Sequence, residues 1–215
     1  MFNKKPAFLI SFLAILMFQI TGIQAQDQKS GTIYKFDIKE EIAPPVWHKT
    51  RKAFEEAHAL KADVILIHMN TYGGMLESAD SIRTAILQST IPVWVFVDNN
   101  AASAGALISI ACDSIYMRSG ANIGAATVVD QAGKPLPDKY QSYMRSMMRS
   151  TAEATGRNPD IAQGMVDPRI FIEGVTDTGQ VITFTTSEAL KNGFCNAQAN
   201  SIDDILKYTK TGSYK

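Results

Sequence analysis

The sequence predicts an α/β fold with a parallel sheet flanked by helices, and two observations carry that prediction. Short runs of uninterrupted apolar residues at 64–67 and 93–97 are typical of strands whose two faces are both covered. Segments with helical periodicity follow these runs, as in successive strand–helix units of a parallel sheet. The 215 residues are 46% hydrophobic and 20% charged, which is enough apolar material for one sizeable core.

The individual elements are assigned from periodicity and from the residues that begin and end helices. Strands are predicted where apolar residues alternate with polar ones or run together between turn residues, at 31–38, 64–67, 93–97, 114–117, 122–129, 170–173 and 181–185. Helices are predicted where apolar or small residues recur every three or four positions, at 46–60, 75–88, 101–111, 139–155, 186–193 and 201–208. Pro44 and Pro45 are tolerated in the first turn of the first helix, and Gly156 ends the long one. Thr186-Ser187-Glu188 supplies a cap for the helix that stops at Gly193.

Residues 1–25 differ from the rest and have the layout of a secretory signal peptide. Lys4 and Lys5 precede an uncharged apolar run at 7–18, which is too short to span a bilayer comfortably. Small residues then come before a polar start. An uncleaved amino-terminal anchor would show the same pattern. In either case we expect residues 26–215 to form one exported domain, periplasmic or on the outer face of a membrane.

Composition argues against several classes of function. The formal net charge is zero and no long basic run occurs, so nucleic-acid binding has no electrostatic support. No G-x-x-x-x-G-K-[ST] phosphate loop is present and the acidic residues are scattered, so we expect no cofactor and no metal. Cys112 and Cys195 lie in apolar sequence, which favours buried free thiols, although an oxidising compartment would also allow a bridge.

Ser103 is the candidate nucleophile. Its neighbours in Ala101-Ala102-Ser103-Ala104-Gly105 are small and leave room for a peptide, and the Ala104 N–H lies at a predicted helix start. Gly73 and Gly74 likewise join a buried strand to a helix, where N–H groups could face an oxyanion. Serine is also a favoured helix cap, and paired glycines also form plain turns, so both interpretations stay open.

A nucleophilic serine needs a base, and no histidine follows Ser103 in the chain. Lys139 is the candidate because it begins the long helix, whose next residues could supply the apolar surroundings that a basic lysine needs. A solvated lysine on a first helical turn is the plainer interpretation, and Lys134 competes from a nearby loop. The chain has three histidines: His48, His58 and His68. Of these only His68 ends a strand near the glycine turn.

Four segments carry a family pattern. Three are the motifs Asn70-Thr71-Tyr72-Gly73-Gly74, Ala101-Ala102-Ser103-Ala104-Gly105 and Ser119-Gly120-Ala121-Asn122-Ile123-Gly124-Ala125. The fourth is the helix that begins at Lys139 and ends in Thr155-Gly156-Arg157-Asn158. Together they resemble the NfeD family of membrane-associated ClpP-class serine proteases, over nearly all of the chain after residue 25. The resemblance implies a ClpP/crotonase-like spiral of ββα units.

The resemblance also implies roles for individual residues. Ser103 would be the nucleophile and Lys139 the general base of a Ser-Lys dyad. The N–H groups of Gly74 and Ala104 would hold the oxyanion, with Gly73 shaping the turn. The chain departs from the family turn at one position, since a tyrosine stands where proline is usual. Transmembrane helices and a small β-barrel domain, which full-length members carry after this domain, do not occur before residue 215.

The predicted function is therefore an exported serine endopeptidase that cuts hydrophobic polypeptide segments. A substrate strand could pair along the edge that carries Ala125, Thr127 and Val129. The resemblance implies stomatin-like membrane proteins as partners, and analogy with ClpP-class folds predicts a homo-oligomer. Two alternatives keep the fold. One is a crotonase-like enzyme that stabilises thioester enolates, and the other is a non-catalytic module that binds peptides or a membrane partner.

Overall fold

The structure, a computed structural model, describes residues 31–176 and 179–208. The elements come in chain order as β1 Ile33–Ile38, α1 Pro44–Ala59, β2 Val64–Thr71, α2 Leu76–Leu87, β3 Val93–Ala102, α3 Ala104–Ala111, β4 Ser114–Met117, β5 Asn122–Gly124, α4 Asp138–Ala154, α5 Pro159–Gly164, β6 Thr183–Thr185, α6 Thr186–Lys191, β7 Ala197–Gln198 and α7 Ile202–Tyr208. The predicted α/β class is confirmed. The predicted signal peptide, 1–25, lies outside the described residues.

A mostly parallel sheet forms the centre of the fold. Its strands are ordered β1-β2-β3-β4-β7, and each pair of neighbours in this row is parallel. β3 is long enough to serve two partners in turn, since residues 94–97 pair with β4 and residues 100–102 pair with β5. β6 adds to β5 in the antiparallel sense. The carboxyl ends of β2 and β3 therefore meet at one edge, where Thr71 pairs with Ala101.

Both faces of the sheet are covered, as the uninterrupted apolar run of β2 predicts. Ile65 and Ile67 face the larger core, which they share with apolar side chains of α1 to α4. Leu66 points the other way into a smaller core, where Ile205 of α7 packs. Because side chains alternate along a strand, the end of β2 delivers Thr71 to the face that the four larger helices cover.

Two predicted strands are wrong in extent or existence. The strand predicted at 122–129 ends at Gly124, because the next two amides, of Ala125 and Ala126, donate to carbonyls outside the sheet. The strand predicted at 170–173 does not form, since Ile172 pairs only with Thr176 in an isolated bridge across a turn.

Further differences concern short elements. β3 continues past its predicted end because Asn100 pairs with Asn122 of β5. α5 begins at a cap that the prediction did not use, where the Asn158 side chain accepts N–H groups of its first turn. β7 was not predicted either. The cap of α6 is Thr185 rather than Thr186, and with Glu188 it forms a reciprocal capping box.

The described residues carry two buried thiols and no metal-binding cluster. Cys112 and Cys195 are free and buried, as predicted. Burial raises the pKa of Cys112 and raises that of Cys195 to about 11. Among the helices of the described ranges, none is long and apolar enough to cross a bilayer. Nor do these ranges contain a group of three or more His, Cys, Asp or Glu side chains that could hold a metal ion.

Candidate active site

Ser103 occupies a sharp turn between β3 and α3. Its backbone has φ 54° and ψ −117°, a combination that residues with a Cβ rarely adopt. The turn is held on both sides: the Ser103 N–H donates to the Gly124 carbonyl at 2.9 Å, and the Ser103 carbonyl accepts from the Ala106 N–H at 2.9 Å. Backbone strain of this kind persists only where the surroundings enforce it, and it clusters at functional sites.

The hydroxyl of Ser103 remains available. Ser103 directly precedes the first turn of α3, where a serine side chain ordinarily accepts a helix N–H. Here the side chain makes no such bond, and the residue is partly exposed. The interpretation of Ser103 as a helix cap is therefore wrong, and the side chain is accessible from solvent.

The Gly73-Gly74 turn lies directly against Ser103. A Cβ built on Gly73 would come within 2.7 Å of the Ser103 Cβ and 3.2 Å of its Oγ, so only glycine allows this approach. Gly74 is equally constrained, because a Cβ there would lie 2.2 Å from the Ile42 carbonyl oxygen. Both glycines have positive φ, 118° and 152°. The turn is thus more than a plain connection between a strand and a helix.

Two backbone N–H groups beside Ser103 have no protein acceptor within residues 31–176 and 179–208. One belongs to Gly74. The carbonyl of the same trans peptide unit, that of Gly73, accepts from the Ile42 N–H at 2.8 Å, so the Gly74 N–H points the opposite way. The other belongs to Ala104, which begins α3 and precedes the helix's own hydrogen bonds. These are the two donors that the resemblance implies for an oxyanion.

Thr71 shapes this turn, a role that the sequence analysis did not assign to it. Its side chain is buried and donates to the Glu40 carbonyl at 2.7 Å. The same oxygen accepts from the Gly73 N–H at 3.2 Å, so that N–H is occupied. The methyl group lies so close to Gly105 that a Cβ there would be 2.7 Å away. Thr71 therefore joins the glycine turn to the start of α3.

Lys139 lies on the first turn of α4 and is exposed. Its ammonium lies 4.9 Å from the centre of the Tyr140 ring. Tyr140 and Tyr143 are themselves 41% and 56% exposed, whereas Met144 is buried in the core. The apolar surroundings predicted for the amine do not form around Lys139 in the single chain.

The length of α4 explains why Lys139 is exposed. α3 and α4 lie side by side with their carboxyl ends together: the Thr155 hydroxyl donates to the Ile110 carbonyl at 2.8 Å. The buried Arg157 guanidinium reinforces that end by donating to the carbonyls of Ile110 and Cys112 at 3.1 and 3.0 Å. At 1.5 Å per residue, α3 runs back about 10 Å to Ser103 while α4 runs back about 24 Å. The first turns of α4 therefore project beyond the serine.

The histidines lie away from the serine. His48 and His58 are exposed on α1. His68 extends from β2 on the face opposite Thr71, with its Nε2 3.0 Å from Asp98 and its Nδ1 3.6 Å from Asp37. Burial lowers the pKa of His68, and its carboxylate neighbours oppose that shift. A structural role accounts for these contacts.

The predicted substrate edge is partly used within the chain. The Ala125 N–H donates to the Ile182 carbonyl at 3.0 Å, and Ala125 has a positive φ of 49°. Residues 128–136 form a hairpin closed by the Leu136 N–H on the Val128 carbonyl at 3.0 Å. In the part of the chain that the structure describes, the backbone N–H and C=O groups of Thr127 and Val129 have no partner. These two residues retain an open edge, and Ala125 does not.

Residues 32–213 match the family model of the NfeD1b N-terminal domain. The chain belongs to this family. It is 30% identical over 202 residues to the membrane protein NfeD1b of Bacillus subtilis, a match that covers 93% of this chain and 46% of that protein. It is 28% identical over 203 residues to the membrane-bound protease PH1510 of Pyrococcus horikoshii, covering 91% and 42%. The chain thus spans less than half the length of these relatives.

Solved structures agree on the fold. The membrane-bound stomatin-specific protease 1510-N, solved as a lysine-to-alanine mutant in complex with a substrate peptide, superposes with a TM-score of 0.73 at 28% identity. That match covers 83% of this chain and 80% of the other. ClpP1 of Listeria monocytogenes shares the fold, with a TM-score of 0.60 at 22% identity over 79% and 93% of the two chains. The predicted NfeD resemblance and ClpP-like fold are both confirmed.

Proposed function

We propose that this domain is a serine peptidase in which Ser103 attacks a peptide carbonyl and Lys139 accepts the serine proton. The observation that carries the proposal is that the N–H groups of Gly74 and Ala104 have no acceptor among the described residues and lie beside a strained serine whose hydroxyl does not cap the helix. Acyl transfer builds negative charge on the carbonyl oxygen, and preorganised N–H donors stabilise that charge. The relatives named as proteases support the same chemistry.

In this mechanism the Ser103 Oγ bonds to the carbonyl carbon as its proton passes to the Lys139 amine. The carbonyl oxygen becomes an anion between the Gly74 and Ala104 N–H groups. When the intermediate collapses, the C–N bond breaks and the leaving amine takes the proton from Lys139. Water then attacks the acyl ester by the same steps, which releases the carboxylic acid and restores the hydroxyl.

The exposed position of Lys139 requires the substrate to complete the site. A lysine can accept the serine proton only as a neutral amine. Removing water from around the amine in the substrate complex favours that neutral form. The turn of α4 that carries Lys139 is tied by the Gln141 amide to Val128, the residue between Thr127 and Val129. We propose that the bound peptide covers the amine and supplies the desolvation that the chain alone does not.

For the natural context we propose an exported domain that cuts apolar segments of a stomatin-like membrane protein. One support is the stomatin specificity stated in the name of the Pyrococcus relative. The other is the set of exposed apolar side chains near the glycine turn, the open edge and the start of α4: Tyr72, Met75, Val129 and Tyr140. Coexpression with a stomatin homologue tests this proposal. We expect cleavage fragments with the unsubstituted chain and none with Ser103→Ala. Fragments that persist with Ser103→Ala would reject the partner proposal.

The chemistry is tested with a fluorescent phosphonate that carries an apolar peptide, so that it covers the Lys139 amine as a substrate would, and with an apolar reporter peptide. We expect the phosphonate to label the unsubstituted chain and not Ser103→Ala. Lys139→Ala should lower peptide turnover by about 10²–10⁴, the usual contribution of a general base. Lys134→Ala is the matched control, because Lys134 is an equally exposed lysine in the preceding hairpin. Equal turnover by Ser103→Ala, or equal losses from the two lysine substitutions, would refute the dyad.

One observation favours a second function. The exposed amine of Lys139 in the single chain is compatible with a non-catalytic module that holds extended peptides at the open edge. Such a module would bind the reporter peptide without turnover and would leave Ser103 unlabelled by the phosphonate. The phosphonate experiment therefore separates the two functions directly.

A further inference from the structure

Gln141 makes three hydrogen bonds to the hairpin, residues 128–136, that precedes α4. Its Oε1 accepts from the Val128 N–H at 3.0 Å, and its Nε2 donates to the carbonyls of Val128 and Leu136 at 2.7 and 3.0 Å. Interchanging the amide oxygen and nitrogen would set an oxygen against two carbonyls, so only one orientation fits. A side-chain amide that bonds both the N–H and the C=O of one residue makes the hydrogen bonds that a neighbouring strand would otherwise make.

This pairing decides which way the edge faces. Backbone groups of successive strand residues point to opposite sides. With Val128 committed to Gln141 and Leu136, the N–H and C=O groups of Thr127 and Val129 must point outward. By bonding the backbone groups on one side of this segment, Gln141 leaves the groups on the other side open.

The same side chain joins this edge to the lysine. Gln141 follows Lys139 by two residues on α4, so the edge is tied to the turn that carries the amine. α4 itself is held independently, because Met144 and Met148 are buried in the core. Loss of the Gln141 amide should therefore release the edge without displacing the helix.

We propose that Gln141 is a positioning residue that holds Thr127 and Val129 as the pairing edge for an extended polypeptide. This inference rests on the proposed peptidase function. It identifies the ligand by its chemistry, which is a main chain with free N–H and C=O groups and no requirement for a charged side chain. It also predicts that the edge and the reaction at Ser103 can be disturbed separately.

The test compares Gln141→Leu with Gln163→Leu. Gln163 is a matched control because it is a partly exposed helical glutamine whose amide bonds, among the residues that the structure describes, the Asp160 carboxylate alone. Both are made in the Ser103→Ala chain, and their affinity for a fluorescein-labelled peptide of valine and alanine with lysine ends is measured by anisotropy. We expect Gln141→Leu to weaken binding about tenfold or more, from the loss of three hydrogen bonds, and Gln163→Leu to leave it unchanged.

A second readout separates positioning from loss of the fold. With Ser103 intact, Gln141→Leu should raise the KM for the reporter peptide more than it lowers kcat, because the edge holds the peptide and takes no part in the reaction at Ser103. If Gln141→Leu does not fold, Gln141→Glu replaces it, since that variant keeps the acceptor and loses both donors. Equal peptide affinity for the two glutamine variants, or no peptide binding by the Ser103→Ala chain, overturns the inference. Failure of the peptidase proposal appears separately, as an unlabelled unsubstituted chain.

Discussion

Replacing Ser103 with glycine should stabilise the domain while removing its proposed nucleophile. The serine is held at φ 54° and ψ −117°, where a Cβ is disfavoured and glycine is not. Strain of this kind costs about 1–3 kcal/mol. Glycine also gains freedom in the unfolded chain, which offsets about 0.4–1 kcal/mol. The hydroxyl is not used as a helix cap, so no capping hydrogen bond is lost.

The net expectation is a gain of about 1 kcal/mol in the free energy of unfolding, or about 3 °C in Tm for a domain of this size. Urea unfolding followed by tryptophan fluorescence measures it, since Trp47 lies in α1 and Trp94 in β3. Ser103→Ala is the comparison, because it removes the hydroxyl and keeps the strained Cβ. Ala102→Gly is the control for backbone freedom alone, and it should destabilise by about 0.5–1 kcal/mol. If Ser103→Gly is less stable than Ser103→Ala, the strain argument is wrong.

Two further predictions concern stability. Gly74→Ala should lower the free energy of unfolding by about 3 kcal/mol or more, since its Cβ would lie 2.2 Å from the Ile42 carbonyl oxygen. Gly120→Ala is the control: Gly120 has φ 83° and open space around it, so this substitution should cost only about 1 kcal/mol. Equal urea midpoints for the two variants would contradict the prediction. Hydrogen bonding from Arg169 lowers the pKa of Asp167 to about 2, below its ordinary value of 3.8. Its stabilising contribution is therefore complete above about pH 4 and is lost as the pH falls through about 2. Asp167→Asn should be less stable than the unsubstituted chain at about pH 6, and the difference should shrink towards about pH 2 in urea titrations; a constant difference would count against the pairing.

Much of the fold was predictable because periodicity reports burial directly. The apolar run of β2 indicated a strand covered on both faces, and the structure places one core on each side. The end of β3 was missed because Asp98-Asn99-Asn100 is typical of a turn. Those residues stay extended because the backbone of Asn100 is paired, with its N–H also donating to the Asn70 side chain at 3.2 Å. Local polarity predicted a loop, and pairing between strands distant in sequence overrode it.

Part of the candidate site was likewise predictable from the sequence, and part was not. The glycine turn and the serine turn each follow a buried strand, and neighbouring parallel strands bring such turns together, so their juxtaposition was predictable. The surroundings of Lys139 depend on how far α4 extends past α3, which no local pattern encodes. The roles of Thr71 and Gln141 were not predicted because their side chains bond to backbone atoms, and no local sequence pattern marks such bonds.

The joined carboxyl ends of α3 and α4 have a mechanical consequence. The Arg157 guanidinium and the Thr155 hydroxyl fix one end of this helix pair, so any tilt of α4 would pivot there. A tilt of about 10° about that pivot would swing the far tip of α4 by about 4 Å, given its length of about 24 Å. The same tilt at the depth of Ser103 would shift it by less than half as much. Any such tilt would therefore move the amino-terminal turn of α4 more than twice as far as a point level with Ser103.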